Sequence, residues 1–263
     1  MTKVIVVKIG GATFGSDETT IEDIVYLQKR GNRQLVIVHG GGNLITEWLK
    51  KGGLSTKFIQ GERVTDQATL EVVTAVLAGL VNKEIVAAIN DLGGRAVGIS
   101  GIDGALIQSK LKNEEMGYVG EIVKVNTTLL NALLQAGFIP VVAPLGLYSV
   151  DRPDDAPVVL NINGDIVAGE ITAAIGAEKL IFLTDVAGII GKSGKLISNL
   201  LPYEAEALIL SGVASGGMVP KIKACLTALS SASIASIIDG TQPHALLREV
   251  VEGSCGTTIG SGK

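Results

Sequence analysis

Lys3-Val4-Ile5-Val6-Val7-Lys8-Ile9-Gly10-Gly11 is the stretch on which the fold is decided. Its β-branched residues run on without polar alternation, so a strand here is apolar on both faces. Such a strand belongs in a parallel sheet with helices on either side, and the closing glycines mark where the chain turns away. Comparable runs recur at Gln34 to Val38, Arg95 to Ile99, Phe138 to Val142, Lys179 to Leu183 and Ile234 to Ile238.

Between these runs the apolar residues take up helical spacing: Asp17 to Lys29, Asn43 to Lys51, Asp66 to Leu92, Asn126 to Ala136, Asp165 to Ile175, Pro202 to Leu210, Gly217 to Ser230 and His244 to Val251. The alternation predicts an α/β fold, a three-layer αβα sandwich around a mainly parallel central sheet. Ala105 to Ile122 and Leu145 to Val159 break it with short runs around Asn113, Gly117, Asp151 and Pro153, and both read as β-hairpins. Ile175-Gly176-Ala177 closes one helix before a new strand and divides the chain into two lobes, 1–175 and 176–263. No internal repeat or long linker separates them.

The 263 residues suffice for a large core. A net charge of −4 and 3% aromatic residues point away from nucleic acid, whose readers need clustered Lys and Arg or stacking rings. There is no uninterrupted apolar run of membrane-spanning length, and Met1 leads straight into the first strand, so the expectation is a cytoplasmic protein without a membrane partner. Cys225 and Cys255 lack metal-ligand spacing and read as two buried reduced thiols. No protein metal site is expected. The 34 glycines cluster beside the strands, which suits a backbone that must approach a polyanion closely.

Lys8-Ile9-Gly10-Gly11 and His39-Gly40-Gly41-Gly42 both follow strands. In a parallel sheet such turns gather at the carboxyl edge, where backbone N–H groups and helix amino ends favour an anion. Neither is a Walker A loop or a GxGxxG fingerprint. One alone is a tight turn; two on neighbouring strands, with a lysine in the first, suggest a single anion site. Gly216-Gly217-Met218-Val219-Pro220-Lys221 opens a helix with a lysine in its first turn, an awkward position for a cation unless an anion sits there. Asn161-Ile162-Asn163-Gly164-Asp165 offers three polar side chains at another strand-to-helix turn, either as an N-cap with polar neighbours or as part of a site. His39 reads as a hydrogen-bonded structural histidine and His244 as a residue that caps or orients the last helix. Glu62, Asp66 and Arg95 read as solvated or loop-fixing charges.

Together with Gly61-Glu62-Arg63-Val64-Thr65-Asp66, Thr184-Asp185-Val186-Ala187-Gly188-Ile189, Ile237-Ile238-Asp239-Gly240 and Gly256-Thr257-Thr258-Ile259, these motifs resemble the acetylglutamate kinases of the amino-acid kinase family, in order and over essentially the whole chain. The resemblance implies an enzyme of arginine biosynthesis that uses ATP to phosphorylate the side-chain carboxylate of N-acetyl-L-glutamate. It implies an acceptor-binding, dimerising lobe at 1–175 and an ATP-binding lobe at 176–263. Lys8 and Lys221 would stabilise the transition state, with Asp165 orienting both. Gly41, Gly42, Arg63 and Asn161 would hold the acceptor, Arg63 forking onto its α-carboxylate. The nucleotide would lie along Gly10, Gly11, Asp185, Val186, Ala187, Gly188, Ile189, Ile190, Val213, Ala214 and Ser215, with Mg²⁺ held mainly by its phosphates.

The implied chemistry suits the residues. A carboxylate of pKa about 4.3 is ionised at neutral pH and needs no general base, so a chain with two histidines lacks nothing. The difficulty is bringing two anions to ~3–3.5 Å and spreading charge over the phosphoryl oxygens, which two lysines and glycine N–H groups answer. Position 164 departs from the pattern, being glycine where the family has alanine, and this is expected to loosen Asp165 and slow turnover without changing the substrate. The chain starts almost at its first strand, without the helix that joins arginine-inhibited members into hexamers, which favours a homodimer. Pro243-His244-Ala245-Leu246-Leu247 resembles the arginine-inhibited branch, and a PII-type signalling protein is a candidate regulator. The rival carrier-protein-linked α-aminoadipate kinase of lysine biosynthesis would want positive charge at the acceptor mouth, where only Lys57 accompanies Arg63. A non-catalytic nucleotide-binding relative would have no reason to keep Lys8, Asp165 and Lys221 together.

Overall fold

The computed structural model describes residues 3–10, 19–59, 61–253 and 255–260. The chain begins with β1 (Lys3–Ile9), α1 (Thr19–Arg30), β2 (Arg33–His39), α2 (Gly42–Lys51), β3 (Phe58–Ile59), β4 (Glu62–Arg63) and the long helix α3 (Gln67–Asp91). It continues through β5 (Ala96–Ser100), β6 (Ile107–Leu111), β7 (Gly120–Val125), α4 (Thr128–Gln135), β8 (Ile139–Ala143), β9 (Leu145–Tyr148), β10 (Val159–Asn161) and α5 (Gly164–Ile175). The last part holds β11 (Lys179–Thr184), β12 (Asn199–Leu200), α6 (Pro202–Leu210), α7 (Met218–Ala228), β13 (Ile234–Asp239), α8 (Ala245–Val251) and β14 (Gly256–Gly260).

Among the described residues eight strands form one sheet in the order β12-β14-β13-β11-β1-β2-β8-β5, in which β12 and β14 run against the other six. Both faces are covered because the strands are apolar on both. Ile5, Val7 and Ile9 of β1 join Ile24, Leu49, Val73, Ile85 and Leu246 in one core, beneath α1, α2, α3 and α8. Val6, one residue out of phase, joins Leu130, Val167, Ala205 and Ile222 in the other, beneath α4, α5, α6 and α7. The expected three-layer αβα sandwich is therefore the architecture. Full burial of each such side chain is worth roughly 1.5–3 kcal/mol, so the two cores supply most of the folding drive.

Both expected hairpins form. β6 pairs antiparallel with β7, β9 with β10, and a parallel β6–β9 contact joins them into a four-stranded sheet. The β3–β4 hairpin and the strands β12 and β14, which extend the sheet beyond β13, were not expected. β14 is Gly256-Thr257-Thr258-Ile259-Gly260, too short of apolar side chains to announce itself, and it is held by pairing with β13.

The helix α3 is long and apolar enough to cross a membrane by length and composition. Here it lies on the sheet through Leu70, Val73, Leu77, Val81, Ile85 and Ile89, and its turns loosen to π-helix over Ala75–Val81. Gly176, left-handed at φ 63 and ψ 43, ends α5. Since β1 pairs with β11 beyond it, the central sheet runs unbroken between 1–175 and 176–263. Both cysteines are free, but only Cys225 is buried; Cys255 is half-buried just before β14, which corrects the expectation of two buried thiols.

Candidate active site

The carboxyl ends of β11, β1 and β2 are level with one another. Gly10 N donates to Leu183 O at 3.1 Å, and Gly40 N donates to Ile9 O at 2.9 Å, so the glycine turns after β1 and β2 are adjacent and the first abuts the end of β11. Gly11 lies outside the described residues. Gly41 caps α2 without a side chain, and a Cβ there would stand 2.8 Å from Leu77 Cδ2, so the π-helical stretch of α3 presses directly on the turn.

Register decides where Lys8 points. Like Val6 it projects to the α5–α7 side, and its ammonium lies 2.8 Å from Asp165 Oδ1. Asp165 is in the first turn of α5, whose N-cap Asn163 accepts from Asp165 N at 2.8 Å. Lys221, in the first turn of α7, donates to Asp165 Oδ2 at 3.1 Å and to Gly217 O at 3.3 Å. One carboxylate thus separates two ammonium groups at the junction of three elements. Asp165 is only 5% exposed. Burial by itself raises its carboxyl pKa, but the charges of Lys8 and Lys221 outweigh that and hold it below the ordinary carboxylate range. The triad carries one net positive charge in a desolvated place, which is what a phosphoryl group in transit requires.

Beside it a cavity of about 160 Å³ is lined by Gly40, Gly41, Gly42, Arg63, Asn161 and Gly164, with Phe58, Ile45 and Leu77 as apolar wall. Arg63, from β4, is 7% exposed. Its Nη2 donates to Gly42 O at 3.0 Å and Thr46 Oγ1 at 2.8 Å, its guanidinium stacks on Phe58 at 4.7 Å, and its Nη1 is buried with no hydrogen-bond partner. A buried donor left unmade costs free energy unless a ligand completes it, and a planar fork of this kind suits a carboxylate. Asn161 is held by its Nδ2, which donates to Thr65 Oγ1 at 3.0 Å. A crevice of about 540 Å³ adjoins the cavity, sharing Glu62, Ile162 and Asn163 and reaching Gly216 and Lys223 of the α7 region. At the hairpin tip, a Cβ on Gly61 would be 3.7 Å from the Gly216 carbonyl carbon, so the β3–β4 hairpin touches the glycine turn before α7.

The expected nucleotide residues are placed less uniformly. Asp185, Val186, Ala187 and Ile190 are exposed in the loop after β11, as is Ser215 before α7. Ile189 and Ala214 face the core, and Ile189 N donates to Thr257 Oγ1 at 2.8 Å. Gly188, at φ 141, packs so closely on Thr257 that a Cβ would be 2.6 Å from its hydroxyl. Val213 is half-buried. None of these lines either cavity just described.

His39 is structural, as expected. Its Nδ1 donates to Gly40 O at 2.9 Å and its Nε2 accepts from Asn82 Nδ2 at 3.2 Å. His244 orients the last helix from outside, its Nδ1 lying 2.8 Å from Asp23 Oδ1 of α1. Three residues were missed: Thr46, Thr65 and Asn82. Thr46 stands near a quoted motif and Thr65 within one, but nothing in a lone threonine signals a polar clamp. Asn82 is a polar residue on the buried side of an apolar helix, and that anomaly was visible.

The amino acid kinase family model matches residues 3–238. The chain is similar to the acetylglutamate kinase of Dehalococcoides mccartyi strain CBDB1, 49% identical over 97% of this chain and 94% of that one. That of Cereibacter sphaeroides strain ATCC 17029 is 45% identical over 98% and 88%. In three dimensions it resembles the N-acetylglutamate synthase of Neisseria gonorrhoeae complexed with coenzyme A and N-acetyl-glutamate, with TM-score 0.84 and 26% identity over all of this chain and 60% of that one. The carbamate kinase of Giardia lamblia bound to AMP-PNP, at TM-score 0.71 and 16% identity over 99% of both chains, shares the fold.

Proposed function

The chain belongs to the amino acid kinase family and groups with its acetylglutamate kinases, and from that premise we propose that it transfers the γ-phosphoryl group of ATP to the side-chain carboxylate of N-acetyl-L-glutamate, giving N-acetyl-L-glutamyl 5-phosphate and ADP in arginine biosynthesis. The observation that carries the reading is the Lys8–Asp165–Lys221 triad, with Lys8 and Asp165 buried and Lys221 half-buried, beside a cavity whose Arg63 retains an unpaired donor.

In this reading the acceptor's α-carboxylate completes the Arg63 fork, Asn161 takes the acetamido group, and the side-chain carboxylate lies against the glycine turn of Gly41 and Gly42. One of its oxygens attacks the γ-phosphorus; an O–P bond forms as the bond to the β-phosphate oxygen breaks. Lys8 meets the charge from the β1 side and Lys221 from the α7 side, while Asp165 holds the two like charges close. The nucleotide follows the loops 185–190 and 213–215, with Gly10 between them and the acceptor. Residues 1–175 thus form the acceptor lobe and 176–263 the nucleotide lobe.

Mg²⁺ enters with the nucleotide. In this reading phosphate oxygens and water are its main ligands, and both oxygens of Asp165 are turned to lysines. A homodimer is supported by α3, where Val72, Ala75, Gly79, Leu80 and Ala87 leave an incompletely covered, largely small-residue stripe. A cytoplasmic location belongs to the same reading.

The test is ATP-dependent acyl-phosphate formation, trapped as the hydroxamate, with N-acetyl-L-glutamate, L-glutamate and N-acetyl-α-aminoadipate in parallel. Turnover restricted to N-acetyl-L-glutamate is the expected result. Preference for the longer homologue would transfer the chain to lysine biosynthesis, and ATP binding without turnover would make it a non-catalytic relative.

A further inference from the structure

The two helices that carry Asp165 and Lys221 meet at one point of unusually close approach. A Cβ on Gly169 of α5 would stand 2.6 Å from Ala224 O, 2.9 Å from Ala224 Cα and 3.0 Å from Ala224 Cβ on α7. Distances this short leave no room for any side chain, so Gly169 sets how near the two helices lie. Asp165 is four residues before Gly169 and Lys221 three before Ala224, so the ion pair sits one helical turn beyond the contact on the same facing surfaces. At the other end Ser231 Oγ donates to Thr172 O at 3.3 Å. The α5–α7 seam is thus tied by a polar contact at one end and by one from the turn after α7 at the other, and is seated in the middle by a glycine.

We propose that Gly169 is a positioning residue for phosphoryl transfer, acting through the spacing of α5 and α7 to place the Lys221 ammonium on Asp165. The proposal rests on the kinase reading above. Lys8 is anchored in the central sheet and does not depend on the seam, whereas Lys221 reaches Asp165 only because α7 lies against α5 at this depth. Relief of a 2.6 Å contact to backbone requires the helices to part by several tenths of an ångström, and the 3.1 Å Lys221–Asp165 bond has little to spare. Misplacement of a catalytic group by about 1 Å can cost about 10²-fold in rate, so a smaller shift should be felt mainly in kcat.

The experiment compares Gly169→Ala with the parent in the hydroxamate assay, in the presence and absence of Lys221→Ala. Gly169→Ala is expected to lower kcat about tenfold or more with KM for both substrates within about twofold, and to cost nothing further once Lys221 is gone. A folded Gly169→Ala protein with parental kcat, or an equal loss in the Lys221→Ala background, would overturn the proposal and leave the kinase reading intact. A parent without turnover would overturn both. If Gly169→Ala does not fold, Ala224→Ser enlarges the same contact from the opposite helix by one atom and is read against the same two outcomes.

Discussion

Asn82 Nδ2 donates to His39 Nε2 across 3.2 Å of buried interior. The same amide reaches Val141 O at 2.9 Å and Ile99 O at 3.2 Å, so one side chain ties β2, β5 and β8 together beneath the acceptor glycine turn. Because the Gly40 carbonyl can only accept, the histidine carries its proton on Nδ1 and is neutral. Burial lowers its pKa to about 4, with Lys8 and Lys83 adding to the effect and the Gly40 hydrogen bond opposing it. The unfolded imidazole titrates near 6.5, so between those values the unfolded chain binds the extra proton. Stability should therefore be fully present above about pH 6.5 and fall by ~3 kcal/mol as pH drops to 4. Asp165, whose carboxyl is held low, loses its contribution only at more acid pH. Urea unfolding from pH 4 to 7.5 should show the slope, and His39→Gln should flatten it; an unchanged slope would locate the titration elsewhere.

Arg63→Lys keeps the charge but not the fork. The lysine cannot hold Gly42 O and Thr46 Oγ1 while presenting a second parallel donor, so KM for N-acetyl-L-glutamate should rise by one to three orders of magnitude, ~2–4 kcal/mol, with KM for ATP little changed. Steady-state kinetics with each substrate varied in turn separates the two; an ATP effect of equal size would mean that Arg63 serves the lobe contact and not the acceptor.

Lys8→Ala and Lys221→Ala should each lower kcat by about 10²–10³, ~3–4 kcal/mol, and the pair together by less than the product. Asp165→Asn should act differently, because it leaves two neighbouring ammonium groups without their counter-charge in a buried place. It should cost ~3–5 kcal/mol of stability as well as activity, visible as a lowered urea midpoint. A variant as stable as the parent would show that water already screens the lysines.

What the sequence made legible follows from what it repeats. Strands such as Lys3–Ile9 and Lys179–Thr184 are unmistakable because their burial on two faces demands unbroken apolar runs, and the helices between them because one face is buried. Glycine turns marked Lys8 and Lys221 as candidates for an anion site and a strand-to-helix turn offered Asp165, but only the resemblance to the acetylglutamate kinases grouped the three, and only register reveals that their side chains meet on the same face. The β3–β4 hairpin and β14 were illegible because two-residue strands and a Gly-Thr-Thr-Ile-Gly run carry too few apolar side chains to show a period, although Thr257 and Ile259 are buried once β14 pairs with β13. Asn82 escaped because its meaning lies in three acceptors on three other strands.

Gly164→Ala tests whether the glycine in the Asn163-Gly164-Asp165 turn weakens the site. Position 164 is the first residue of α5 and needs no left-handed backbone, so alanine would reduce the entropy lost on folding by about 0.4–1 kcal/mol. The new methyl would stand 3.6 Å from both Lys8 Cε and Pro144 Cγ, ordinary packing distances that would brace the Lys8 stem, and 3.3 Å from His39 O, where a few tenths of an ångström must be found. His39 O closes a strand whose next residue opens a glycine turn, so that adjustment has somewhere to go. The expected result is a Tm about 1–4 °C higher with kcat equal to or above that of the parent. A lower Tm would show that the His39 carbonyl is immovable and that glycine is required here by close approach; a higher Tm with slower turnover would show that Lys8 works best with freedom in its stem.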